Sequence, residues 1–503
     1  MKRCVLALAL LGLPTLAQDQ KNVEIKLPVE EVILANGMKV LIVERHDVPR
    51  VFCALYWKVG SVNERPGITG LSHFFEHMMF KGTRRIGTKD AVKDAELNEK
   101  IESTMTEIRE IKLARLEAER LGQKMPKDSD LLYDKLWKRY EGFVAEQQKI
   151  TISEDISKIY QRNGGTGLNA TTSFDRTNYF IELPANKVEL FFWLEGDRFS
   201  APVFREFYPE REVVKEERRM RYDSTPTGLI DIDFRAMFWQ AHPYSWPVIG
   251  WVSDIDQYTL TDAQRYFDIH YSPQNCTAIF VGDVKKDQVK ALATKYFGAI
   301  KRSKFEADPL VTVEPKQMGE RRMIAEADSN PSIEVAWHAP SQAHADGTPL
   351  DVTCGILSGR TGRLWKKLVD QKKLALSCNA SFWGLKYGGM VMINASPAEG
   401  AKMDELEKAI YEVVDELAAQ GPTEVELRKV KNQMIADTAR GLQTNAEIGN
   451  ALGSSDVIHD WRDVTNSLTW IEQTSGAGVQ RLMKTYFTAG GRNVLIVNRK
   501  ENK

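Results

Sequence analysis

Short apolar runs separated by turn residues open the chain. Glu31-Val32-Ile33-Leu34, the pair Asn36-Gly37 and Lys39-Val40-Leu41-Ile42-Val43 predict a β-hairpin, because Asn-Gly accepts the positive φ angles of a tight turn. Val51 to Val59 is almost continuously apolar, which predicts a strand central in its sheet. A loop with two glycines, Pro66-Gly67-Ile68-Thr69-Gly70, then admits a helix carrying His73-Phe74-Phe75-Glu76-His77. From about Asp90 to Arg162 the pattern changes: Glu, Lys, Arg and Leu are frequent, glycines are few, and the composition suits long surface helices with charge pairs one turn apart. We read this stretch, residues 90–162, as an inserted helical hairpin broken around Gly122 to Asp130.

Beyond it, Asn178 to Leu183 predicts a strand ended by Pro184, and Lys187 to Leu194 a helix. Thr261 to Tyr271 predicts a helix in which Thr261 and Gln264 fit a capping box, and Cys276 to Val281 a strand closed by Gly282-Asp283. The polar, proline-bearing stretch Arg302 to Pro315 marks a domain boundary. The second half repeats the style of the first: strands at Ile333 to Trp337 and Gly389 to Ile393, helices at Leu350 to Leu357 and Met403 to Ala419, further helices to about Tyr486, and a last strand at Asn493 to Val497. Setting Trp57 against Trp337 and Leu71 against Leu350 aligns the helix of His73 and His77 with Leu350 to Ile356, which has no metal ligands; the match needs a gap and is weak as repeat evidence.

Composition narrows the class. With 503 residues, 43% hydrophobic, 27% charged and a formal net charge of −1, the chain reads as a soluble globular protein of two to four domains, with no basic excess to suggest nucleic acid. Lys2 and Arg3, the apolar stretch Cys4 to Leu16 and Thr15-Leu16-Ala17 read as an export signal over residues 1–17, so the mature chain is expected to be periplasmic or secreted. No later run reaches the ~18 apolar residues of a membrane span. Cys53, Cys276, Cys354 and Cys378 remain; three sit in or beside apolar runs and read as buried thiols, with a Cys354–Cys378 bridge left open.

The chemistry concentrates at His73, Glu76 and His77. On a helix these stand at i, i+3 and i+4 and share a face, so two imidazoles can hold zinc while a carboxylate beside them takes a proton from water on the metal. The alternative is an amphipathic helix that happens to carry two histidines. A third ligand is needed, and the helix around Glu210-Arg211-Glu212-Val213-Val214-Lys215-Glu216-Glu217 offers two carboxylates. Glu210, Val213, Val214 and Glu217 fall on one face, which the valines predict to be buried, and an unpaired charge there is costly. Glu217 can then bind zinc and Glu210 can accept the second ring N–H of a histidine; a salt-bridged surface helix is the other reading. His46, His242, His270, His338, His344 and His459 lack such company, and His270 suits a cation near a helix C-terminus.

Taken together, His73-x-x-Glu76-His77, the following Met78-Met79-Phe80-Lys81-Gly82-Thr83, Leu168-Asn169-Ala170-Thr171-Thr172 and Glu210-x6-Glu217 resemble the pitrilysin/insulinase family of zinc metallopeptidases, over nearly the whole mature chain. The resemblance implies an α+β fold of two tandem homologous domains, each a mostly antiparallel sheet packed with helices. On this basis residues 18–305, with the insertion, are expected to form the peptidase domain with the zinc site, and 306–503 an inactive peptidase-like domain. It implies one zinc ion per chain held by His73, His77 and Glu217, Glu76 as general base and Glu210 supporting a ligand. It also implies that Asn169, Ala170 and Thr171 belong to an edge strand taking peptide as an added strand, and that two chains, identical or related, pair around an enclosed chamber.

Two features depart from the family. His77 and Glu217 are 140 residues apart, longer than usual, which the insertion accounts for. Where the family often carries an Arg and Tyr pair contacting substrate near zinc, this chain has Val369 and Leu376, neither of which donates a hydrogen bond. The expected activity is that of a zinc metalloendopeptidase. Alternatives are a catalytic subunit active only with a related chain lacking the zinc motif, and a non-catalytic scaffold subunit.

Overall fold

The computed structural model describes residues 25–200 and 202–501; the expected signal segment lies outside them. Six strands form one sheet: β1 Val29–Ile33, β2 Lys39–Glu44, β3 Arg50–Trp57, β4 Thr166–Thr172, β5 Thr177–Pro184 and β6 Cys276–Gly282, in the order β1-β2-β6-β3-β5-β4. Only β2 and β6 run parallel. A second sheet holds β7 Arg321–Ala327, β8 Ser332–Ala339, β9 Ala375–Gly384, β10 Gly389–Pro397 and β11 Asn493–Arg499, in the order β7-β11-β8-β10-β9, with β7 and β11 parallel. Strand for strand, this repeats β2-β6-β3-β5-β4 in order and direction. Trp57 and Trp337, both fully buried, end or nearly end the equivalent strands β3 and β8. The next helices are α1, Leu71–Met78, and Gly347–Leu357. The chain is thus α+β with two tandem domains of one topology.

The continuous apolar run of β3 is explained by burial on both faces. One face packs under helices of the first half. On the other, Phe52 and Tyr56 meet Ile448 and Leu452 of the helix Asn445–Ile458, which comes from the second half. A Cβ on Gly449 would lie 2.3 Å from the Phe52 ring and one on Gly453 2.4 Å from the Tyr56 ring, so glycines one turn apart let this helix lie on the sheet. The exchange is reciprocal: Phe234 and Phe238 of α7, Gly228–Phe238, pack on Ala336, Met390 and Leu495 of the second sheet.

The charged stretch forms α2, Ala91–Arg120, and α3, Lys127–Ile150, followed by α4, Asp155–Arg162. Arg115–Asp130 and Arg139–Glu107 pair across the hairpin, while Leu97, Ile101, Met105, Leu136 and Tyr140 bury its base.

Two expectations need correction. The capping box of helix Leu260–His270 is Thr259 with Asp262, not Thr261 with Gln264: the Thr259 amide donates to the Asp262 carboxylate at 2.9 Å, while Thr261 already lies inside the helix. His270 is no exposed cation but is buried against Tyr266, and burial pushes its pKa down to about 4. The cysteines are as expected: Cys53, Cys276, Cys354 and Cys378 are buried free thiols, and the bridge left open between Cys354 and Cys378 is not formed. Among the described residues no helix is long and apolar enough to cross a membrane.

Candidate metal centre

Leu71, Phe74, Phe75 and Met78, at i, i+3, i+4 and i+7, drive α1 into the first core, and this leaves Glu76 and His77 partly exposed while His73 is buried. Gly70 begins the helix at φ 88°, where a Cβ would meet the Ile249 carbonyl oxygen at 2.2 Å, so only glycine fits. Having no side chain, Gly70 cannot cap. Glu64 does so from the preceding loop, accepting the amides of Gly70 and Ser72, each at 2.7 Å. Burial pushes the Glu64 pKa up to about 8 against the pull of those amides.

Against α1 lies α6, Phe207–Arg218. Its buried stripe is Phe207, Arg211, Val214 and Arg218, one residue round from the expected one. Val213 is accordingly 50% exposed, a correction to the expected valine-sealed face. Glu210 is buried and Glu217 half-buried at the side of the stripe that faces α1.

The two helices bring nitrogen atoms of His73 and His77 and an oxygen of Glu217 within 4.8 Å of one another. His73 Nε2 lies 3.7 Å from Glu217 Oε1, and His77 Nε2 lies 3.2 Å from Glu217 Oε2. This last oxygen is buried and accepts no hydrogen bond from the described residues. An orphaned carboxylate oxygen converging with two imidazole nitrogens fits the donor set of a zinc ion with an open position. Behind the centre, His77 Nδ1 lies 2.9 Å from Glu210 Oε1, and Lys81 Nζ lies 2.5 Å from Glu210 Oε2.

Electrostatics divide the histidines. Burial, and then the charge of His77, push His73 down to about 4, so it is neutral with a free lone pair. Burial also pulls His77 down, but Glu210 and Glu217 outweigh it and hold the residue at about 9 without metal. The two rings lie 4.9 Å apart, so charge on one disfavours charge on the other, and near neutral pH the one touching two carboxylates holds the proton. Burial raises Glu210, yet His77 and Lys81 together hold it below the usual carboxylate range. Glu76 moves the other way: burial raises it above its usual range, opposed by the Thr172 hydroxyl and His77.

Thr172 ends β4, the edge strand, which packs against α1. On that strand Asn169 and Thr171 are exposed and Ala170 is buried. Beside Glu76 and His77 opens a cleft of about 480 Å³, walled by Phe80 and Lys81 and by Ile152 and Asp155 from the end of the inserted hairpin. In the second half, Leu376 is 66% exposed and Val369 packs against the second core, so neither offers a polar group.

Three residues escaped sequence reasoning. Glu64 had no cap spacing to mark it, since it reaches the helix from six residues before Gly70. Lys81 stood in the quoted stretch without a role. Arg221 pairs with Glu217 at 2.7 Å, and its i,i+4 spacing from that residue was the available signal.

Comparison with known proteins bears on the family and the fold. The model of the insulinase family (peptidase family M16) matches residues 39–107, and that of the peptidase M16 inactive domain matches residues 257–434. The zinc protease PqqE of Helicobacter pylori is 27% identical over 468 residues, covering 91% of this chain and 90% of that protein. The crystal structure of a protease from Helicobacter pylori has a TM-score of 0.76 at 25% identity and covers 94% of this chain and 100% of that one. The crystal structure of pitrilysin has a TM-score of 0.70 at 15% identity, covering 96% of this chain but 46% of that one.

Proposed function

The chain belongs to the insulinase/pitrilysin (M16) family of peptidases, and we propose that it is a zinc-dependent endopeptidase hydrolysing peptides or unfolded polypeptides in an enclosed chamber. The observation that carries this reading is the convergence of His73, His77 and Glu217 with Glu76 on the same helix face. Zinc bound by the three ligands would supply a Lewis acid that polarises the scissile carbonyl and acidifies a water at the open position.

The residues around it have separate tasks. Glu210 accepts the Nδ1 proton of His77, which fixes the tautomer and would leave the Nε2 lone pair for a metal shared with His73 and Glu217. Lys81 keeps Glu210 ionised for that purpose. Glu76 takes the proton of the attacking water and returns it to the departing amine; a raised pKa suits a base that must hold a proton between the two events. Asn169, Ala170 and Thr171 offer the free main-chain edge of β4, to which a peptide adds as an antiparallel strand.

In this reading residues 18–305 form the zinc-bearing domain, 306–503 a peptidase-like domain without metal ligands, and residues 1–17 direct export. Pitrilysin spans about twice this chain's matched length, which supports pairing of two chains to close the chamber. A second reading, activity only in a heterodimer, is favoured by Val369 and Leu376, which leave substrate contacts to another chain.

Metal analysis tests the proposal. Purified protein should carry one zinc per chain, lose peptide cleavage with chelation and regain it on zinc addition. Protein that binds no zinc, or cleaves equally without it, refutes the assignment. Full activity as a monomer or homodimer refutes the heterodimer reading.

A further inference from the structure

The sequence lacks the second-domain Arg and Tyr, yet a guanidinium is present at the centre from another source. Arg221 Nη2 lies 2.7 Å from Glu217 Oε1, while its side chain remains 64% exposed. It sits on a single π-helical turn, Arg219–Asp223, that continues α6 directly beyond Glu217. Such wide turns are frequent at functional sites.

The turn is fixed to the body of the domain. Arg218, nearly fully buried, donates to the Gly250 carbonyl at 3.1 Å and lies over the rings of Tyr222 and Trp251. The Thr225 hydroxyl donates to the carbonyls of Arg221 and Tyr222 at 3.1 and 3.0 Å. A Cβ on Gly228 would lie 2.3 Å from the Tyr222 carbonyl oxygen, so α7 closes tightly on the segment. An exposed cation is therefore carried to a ligand carboxylate by an anchored backbone. A second cation near the cluster, Lys81, is already engaged by Glu206 and Glu210.

We propose that Arg221 is a catalytic residue that donates hydrogen bonds to the scissile carbonyl oxygen as it becomes an oxyanion, taking the role left open by Val369 and Leu376. The inference rests on the peptidase reading above. Its chemistry follows from the group: a guanidinium cannot lose its proton, and its planar fork offers several donors to an oxygen that gains charge only in the transition state. No bond forms to Arg221 and no proton leaves it.

The test compares zinc-loaded wild-type, Arg221→Ala and Arg221→Lys proteins by peptide cleavage, zinc content and affinity for a phosphinic peptide, whose tetrahedral P–O⁻ group imitates the oxyanion. Loss of one such donor should lower kcat about 100-fold. Affinity for the phosphinic peptide should fall in parallel, with KM changed little, one zinc per chain retained and partial recovery in Arg221→Lys. Binding of the ordinary peptide to Glu76→Gln protein should not change when Arg221→Ala is added. Unchanged kcat and phosphinic affinity in Arg221→Ala overturn the proposal and leave the peptidase reading standing. Zinc loss in proportion to activity also overturns it, assigning Arg221 to holding Glu217 in place. Should the wild-type protein bind zinc but not cleave, phosphinic affinity alone decides for Arg221; a wild-type protein that takes up no zinc overturns both.

Discussion

Replacing Glu210 by alanine separates its service to the metal from its service to the fold. Its two oxygens have different partners: Oε1 faces His77 Nδ1 at 2.9 Å and Oε2 faces Lys81 Nζ at 2.5 Å. On the metal side, Glu210→Ala removes the acceptor that orients a ligand, a change that typically weakens metal binding 10- to 100-fold, or about 1.4–2.8 kcal/mol. The upper part of that range is expected, because the acceptor lost is a charged one. Glu210→Gln keeps an oxygen for His77 and should cost nearer 10-fold. On the fold side, breaking a fully buried ion pair costs about 3–5 kcal/mol, but Lys81 is 23% exposed and keeps Glu206 at 3.3 Å, so about 1–2 kcal/mol is expected. Adding Lys81→Met to Glu210→Ala should therefore restore most stability without restoring zinc affinity. Competition with a chromophoric chelator reads the first quantity and urea unfolding of the metal-free proteins the second. Unchanged zinc affinity in Glu210→Ala, or its recovery on adding Lys81→Met, would refute the orienting role.

Other consequences are independent of this pair. His77 keeps its proton up to about pH 9 without metal, so zinc uptake at pH 7–8 should release about one proton and apparent affinity should rise about tenfold per pH unit in that range; titration calorimetry in buffers of different ionisation heat would show no such release if the histidine were neutral beforehand. His242, His270 and His338 are each pushed down by burial to about 4, below the unfolded value near 6.5. Their stability contribution is full above about pH 6.5 and is lost as pH falls through about 4, so urea midpoints should drop across that window, and His270→Phe should flatten the drop. Gly453→Ala places a Cβ 2.4 Å from the Tyr56 ring and should lower stability by about 1–3 kcal/mol through overpacking where the second half covers the first sheet; a midpoint equal to wild type would contradict that packing.

Much of the site was legible because its residues obey helical spacing. His73, Glu76 and His77 share a face by period alone, and Glu210 and Glu217 share one seven residues apart; the structure then places the two faces together. Val213 misled because an exposed valine and a buried one look alike in a sequence, and the true stripe is held by Phe207, Arg211, Val214 and Arg218, two of them charged. His270 was read from its place at a helix end, whereas tertiary burial against Tyr266 decides its charge. The exchange of α7 and Asn445–Ile458 between halves left no local sign. Gly449 and Gly453 look like weak points in a helix until the rings of Phe52 and Tyr56 explain them. Arg221 was hidden in a charged run whose ordinary meaning is a solvated surface, since only the fold shows which of those charges meets the Glu217 carboxylate.

The central claim is that Glu76 acts as the base on water held at a zinc centre of His73, His77 and Glu217. It is tested most directly by the cleavage rate of Glu76→Gln protein, loaded with one zinc per chain and assayed beside wild type in the same oligomeric state. The substitution keeps the side chain's shape but removes its basicity, so zinc content should be unchanged and turnover should fall by about 100-fold or more. Peptide cleavage by Glu76→Gln at the wild-type rate would contradict the account.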